Sequence, residues 1–205
     1  MSVRGMLTIL GLSVLVCGAS SFAQAQSASP KASKSTTAKP EPAKPDTKPA
    51  AAATGGAEPT LIGQYGNWGA YTATPNGKKV CFALAKPSSS KTNPPNRPRD
   101  PAYAFVSTRP AEKVTNEVSI MIGYTLKPGS ESTLEVGGAS YAMYTQGDGL
   151  WIKNAAEEER MVEAMRKAAD VTVKGVSAKG TETTDIFSLK GLSQALDRLA
   201  QDCKR

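Results

Sequence analysis

Residues 68–86 read WGAYTATPNGKKVCFALAK: two runs of aromatic, β-branched and small apolar residues, separated by Pro75, Asn76 and Gly77. Runs of this length bounded by turn residues are strands, and an Asn-Gly pair tolerates the positive φ that closes a hairpin. The same texture continues to residue 187. It predicts strands at 68–74, 79–86, 102–108, 117–124, 134–136, 140–144, 150–153, 171–178 and 183–187, with Gly137 and Gly138 closing another hairpin. So many short strands with frequent turn residues give an all-β class, a β-sandwich in which helices are additions.

Two segments depart from the period of two. In 155–169, Asn154 is placed to cap, Glu157, Glu158 and Glu159 complement the positive end of the dipole, and Met161, Val162, Met165, Ala168 and Ala169 form one apolar stripe. The second begins after Ser188 or Lys190. There Leu192, Ala195, Leu196, Leu199, Ala200 and Cys203 recur at helical spacing, so Cys203 is expected on the docking face. The expectation is one or two helices docked on the sheets.

Working outward to the N-terminus, Arg4, the apolar run 6–16 and the small-residue stretch ending in Ala23, Gln24 and Ala25 have the form of a secretory signal peptide, 1–25. The run is shorter than the roughly 20 residues needed to cross a bilayer core, and no transmembrane segment is expected after signal removal. Cys17 would be discarded with the signal, because Val16 before it is not the small residue that lipidation requires. Residues 26–60 are dominated by Ala, Ser, Thr, Lys and Pro with Lys-Pro units at 39–40, 44–45 and 48–49, the composition of a disordered linker. The domain is expected over 61–205.

Loss of Cys17 leaves Cys81 and Cys203, in a compartment that favours oxidation. A disulfide between them is the expectation; two buried free thiols are the alternative. The formal charge is +7, but from residue 61 onward 19 Lys and Arg stand against 15 Asp and Glu, a net +4. That excess suits an anionic envelope or host-surface component and falls short of a nucleic-acid-binding face. The basic surface loop 86–101 concentrates it: Lys86, Lys91, Arg97 and Arg99 with five prolines and three serines. Such a loop on a rigid scaffold is a candidate binding loop, and changing Lys91, Arg97 and Arg99 to Ser is expected to leave the fold intact.

Catalytic chemistry is sparsely provided. The chain contains no histidine, which removes Ser-His-Asp and Cys-His catalysis and histidine-ligated zinc. No phosphate-cradling glycine motif is present, so no cofactor, metal or catalytic residue is assigned. The alternative function is a periplasmic hydrolase using carboxylates or a Ser-Lys pair. Glu117, Asp100, Asp148 and Asp185 are the non-helical acids available, each more simply a turn residue, a strand-edge charge or an ion-pair partner.

Several of these stretches together resemble the invasion-associated locus B family of exported alphaproteobacterial proteins. The matching residues are 66–71 (GNWGAY), 81–84 (CFAL), 103–109 (YAFVSTR), 116–119 (NEVS) and 180–191 (GTETTDIFSLKG). The resemblance implies an immunoglobulin-like β-sandwich and a periplasmic, secreted or cell-envelope location. For function it implies less: the family is named for a role in host-cell entry and supplies no catalytic residue, and the expectation is a non-enzymatic interaction protein contributing to host-cell interaction or envelope integrity.

Overall fold

The computed structural model describes residues 57–203. The signal peptide, Cys17 and residues 26–56 of the linker lie outside the described residues. Among the described residues, eleven strands form one continuous antiparallel sheet in the order β1-β2-β3-β5-β6-β9-β8-β7-β10-β11-β4. In chain order they are β1 (Thr60–Tyr65), β2 (Trp68–Ala73), β3 (Val80–Ala85), β4 (Ser89–Asn93), β5 (Tyr103–Arg109) and β6 (Val114–Met121). Then follow β7 (Ser132–Val136), β8 (Ala139–Gln146), β9 (Gly149–Ile152), β10 (Asp170–Val176) and β11 (Glu182–Ser188). Two helices, α1 (Glu158–Lys167) and α2 (Leu192–Asp202), complete the domain.

This is the sandwich-like all-β fold with docked helices expected from the sequence, built here from a single sheet that turns back on itself. The β1–β2 turn meets the chain leaving β11: Asn67 N donates to Lys190 O at 3.1 Å, and the Trp68 indole N–H donates to Ser188 O at 3.0 Å. Glycine is required on both sides of that crossing. Gly66 and Gly191 have φ of +55° and +96°, and a Cβ on Gly191 would lie 1.8 Å from Tyr65 O. Two of the motifs that carried the family resemblance, 66–71 and 180–191, are therefore the two strands of chain that close the fold.

The period of two decides which side chains enter the core. Cys81, Ala83 and Ala85 of β3 belong to the main core with Ala104 and Val106 of β5 and Val118 and Ile120 of β6, whereas Phe82, Leu84 and Phe105 point to the opposite face. The predicted turns hold: Asn76 and Gly77 have φ of 49° and 76°, and Gly137 and Gly138 have 59° and 82°. Asn154 Oδ1 accepts from Ala156 N at 3.2 Å and so caps the 3-10 turn Ala155–Glu157 that leads into α1, in which Met161, Val162 and Met165 are buried. In α2, Leu192, Ala195, Leu196 and Leu199 are buried, each leucine contributing about 1.5–3 kcal/mol. Cys203 follows on the same face and is bonded to Cys81, with Cα atoms 6.2 Å apart.

Two strands were not expected. Both β1 and β4 are edge strands, each with one neighbour in the sheet. Such strands bury little, and β4, SSKTN, is exposed along most of its length, so it has no apolar alternation to read. The first described strand thus starts at Thr60, and within the loop 86–101 residues 89–93 belong to the sheet.

Candidate functional site

The chain leaves β3 near one edge of the sheet and forms β4 at the other, pairing Lys91 with Thr184 and Ser89 with Ile186 of β11. Residues 94–102 then return to β5. The return brings Arg99 against β11, where the strand alternation places Thr183, Asp185 and Phe187 inward. Asp185 is a fully buried carboxylate, and Arg99 answers it with both terminal nitrogens, Nη1 to Oδ2 at 2.8 Å and Nη2 to Oδ1. The same guanidinium donates to Ile122 O and to Ser90 Oγ, each at 3.0 Å, and lies 6.0 Å from the centre of the Tyr124 ring. Buried charge is tolerated only when paired and hydrogen-bonded in this way.

Arg99 is thus a structural residue, its side chain 11 % exposed. It forms the back of a cleft of about 610 Å³ whose lining includes Arg97, Lys179, Tyr124, Thr92 and Thr181. The wall opposite the loop is the β10–β11 hairpin: Thr181 N donates to Ser177 Oγ at 3.0 Å and Ser177 N to Thr181 O at 2.9 Å, leaving Lys179 exposed at the tip. Arg97 N donates to Thr92 Oγ1 at 3.1 Å, which fixes the backbone that presents its exposed side chain. Tyr124 Oη and Thr183 Oγ1 are 2.7 Å apart; burial holds the phenol protonated above its ordinary range, partly offset by Thr183. Among the described residues, no lining residue is acidic.

The four basic residues nominated from the sequence therefore separate. Arg97 and Arg99 meet in the cleft. Lys91 lies on the exposed edge strand β4, and the Lys86 ammonium sits 5.9 Å from the Tyr103 ring, on another part of the surface. Because Arg99 is committed to Asp185, replacing it with Ser removes a fold contact, and the triple substitution is now expected to cost stability. Lys179 and Tyr124 were missed. The signal for the first was a charged residue beside Gly180 in a hairpin tip, and for the buried pair an acid on the inward register of β11.

Two of the four acids weighed for hydrolysis are otherwise engaged, Asp185 by Arg99 as above and Glu117 by Arg109. Glu117 accepts from Arg109 Nη1 and Nη2 at 2.7 and 3.2 Å, and Glu112 accepts from Arg109 Nε at 2.6 Å. The Glu117 hydrogen bonds raise the Arg109 pKa further above its ordinary value. Asp100 is exposed, and Asp148 lies in the exposed β8–β9 turn. Among the described residues, no group of three or more His, Cys, Asp or Glu is disposed to hold a metal ion.

Glu158, at the start of α1, accepts from Val118 N at 2.8 Å. Burial raises its pKa, and the Val118 amide counters only part of that effect. A carboxyl whose pKa is higher in the folded than in the unfolded chain holds its proton longer when folded, so its contribution to stability falls as pH rises through that interval. Glu158→Gln keeps an acceptor for Val118 N. It is expected to flatten the pH dependence of urea midpoints just above the usual glutamate range, while the unmodified protein loses stability there as pH rises.

The geometry is that of a basic, hydroxyl-lined cleft on a rigid disulfide-bonded sheet. No curated protein and no solved structure matches the chain. Residues 68–200 match the family model described as invasion associated locus B (IalB) protein. That span covers the sheet from β2 onward, both helices almost entirely, and the cleft, and the chain belongs to the invasion associated locus B (IalB) family.

Proposed function

We propose that the protein is an exported, non-enzymatic interaction protein of the cell envelope, whose cleft between the 94–99 segment and the β10–β11 hairpin binds an anionic group of an envelope or host-surface component. The observation that carries this reading is the convergence of Arg97 and Lys179 on a cleft whose lining among the described residues holds no acid, while the Asp185 carboxylate behind it is already occupied by Arg99. Exposed cations on opposing walls attract an anion that hydroxyls of Thr92 and Thr181 can then hydrogen-bond. Export is supported by a disulfide across 122 residues, a bond that persists in oxidising compartments, and by the signal-like N-terminus. The location is the periplasm or beyond it, and host-cell interaction or envelope integrity is the setting in which such a module acts. The family is not a known enzyme family, and the engagement of Glu117 by Arg109 and of Glu158 by Val118 favours binding over hydrolysis.

The test is co-sedimentation of the protein with vesicles containing about one third anionic phospholipid. Each basic residue near such a surface contributes about 1 kcal/mol, so Arg97→Ser with Lys179→Ser is expected to weaken binding at least tenfold. Binding of the unmodified protein should fall with added salt and be lost on zwitterionic vesicles. Equal binding by the double variant would remove the cleft from the function.

A further inference from the structure

The cleft between the 94–99 segment and the β10–β11 hairpin is biased in its hydrogen-bonding groups. Carbonyls of three lining residues are already accepting: Thr125 O from Ala178 N at 2.9 Å, Ser177 O from Gly180 N at 2.8 Å and Thr181 O from Ser177 N at 2.9 Å. The hydroxyls stand the other way. Ser177 Oγ accepts from Thr181 N and Thr92 Oγ1 from Arg97 N, so each keeps its own hydrogen to donate. Arg97 and Lys179 add donors alone. With no acid in the lining among the described residues, the cleft offers hydrogens and is complementary to a ligand rich in oxygen acceptors.

Size and apolar surface narrow the ligand further. The volume of about 610 Å³ lies within the roughly 300–1,000 Å³ of small-molecule sites, more than a single phosphate or carboxylate group fills. Pro94 and Pro98 on one wall and Ala178 on the other set apolar patches between the polar groups. A bare anion has nothing to place against those patches, and an acyl chain has nothing to place against the hydroxyls. A pyranose serves both: it has an apolar C–H face, ring and glycosidic oxygens that accept, and hydroxyls that accept as well as donate. Resting on the anion-binding reading of the cleft, we infer that its ligand is a phosphorylated saccharide, with the phosphomonoester bridged between Arg97 and Lys179 and the sugar ring against Pro94, Pro98 and Ala178. A phosphomonoester suits cations on opposing walls, because it carries a charge of about −1.5 to −2 near neutral pH on three terminal acceptor oxygens, whereas the diester of a phospholipid carries a single charge.

Isothermal titration calorimetry of the protein with glucose 6-phosphate, inorganic phosphate, glucose and a soluble anionic phospholipid separates the contributions. Glucose 6-phosphate is expected to bind about tenfold or more tightly than each of the other three, the gain of one or two further hydrogen bonds. Arg97→Ser with Lys179→Ser is expected to weaken it by about tenfold or more. Equal affinity for glucose 6-phosphate and for inorganic phosphate or the phospholipid, lost in the double variant, overturns the saccharide assignment and leaves the anion-binding cleft standing. Affinity for glucose equal to that for glucose 6-phosphate also overturns it, since the charge would then contribute nothing. Binding of none of the anions, or binding indifferent to the double substitution, overturns the saccharide assignment together with the reading on which it rests. The comparison of ligands on the unmodified protein decides the proposal even where the double variant fails to fold.

Discussion

Replacing Cys81 and Cys203 together with alanine is expected to lower the unfolding free energy by up to about 5 kcal/mol, the chain-entropy value for a loop of 122 residues. Domains of this size are stable by roughly 5–15 kcal/mol, so this one bond is a large part of the whole. Its place in the fold explains the magnitude. Cys81 lies in β3, near the middle of one arm of the sheet and paired to Thr72 and Thr108, while Cys203 ends the last helix. Without the bond, α2 is held by its buried leucines and by contacts at its end such as that of Lys79 Nζ with Asp202 O. Urea denaturation checks the claim: the midpoint should fall and the m-value should rise, because an unlooped denatured chain exposes more surface. Hydrogen exchange should show α2 losing protection before the strands of the main core.

Asp185→Ala carries the second largest expected effect, a loss of about 3–5 kcal/mol, because it leaves the Arg99 guanidinium largely buried without its counter-charge. The arithmetic of buried pairs gives this prediction a sharper form. Removing both charges, with Arg99→Met and Asp185→Leu, should recover a substantial part of the loss, since the desolvation cost of both ions disappears; Ile122 O and Ser90 Oγ still lose their donor, so recovery is partial. Equilibrium unfolding of the two single variants and the double variant gives the coupling energy. A coupling near zero would mean that the pair does not hold the 94–99 segment to β11.

The two predictions mark what was readable in the chain and what was not. The disulfide was legible because helical spacing set Cys203 on the same face as Leu192, Leu196 and Leu199, and because the signal-like N-terminus pointed to an oxidising compartment. The hairpins at 75–77 and 137–138 were legible from residues that accept positive φ. The strands β1 and β4 were not, since an edge strand shares only one neighbour and need not alternate. Missing β4 also hid the site. Read as a free loop, 86–101 seemed to present four equivalent cations; folded as an edge strand with a return, it commits Arg99 to Asp185, leaves Arg97 facing the cleft and sends Lys86 and Lys91 elsewhere. Lys179 joins Arg97 from about 80 residues away through a hairpin whose position only the sheet order reveals.

The central claim is that the cleft between Arg97 and Lys179 receives an anionic ligand. It is tested most directly by mapping amide chemical shifts of the isotopically labelled protein during titration with a soluble anionic phospholipid below its micelle concentration. The account predicts saturable shifts centred on Thr92, Arg97, Tyr124 and Lys179 to Thr181, abolished by Arg97→Ser with Lys179→Ser and absent with a zwitterionic lipid of the same chain length. Shifts centred elsewhere, or equal shifts with both lipids, would contradict it.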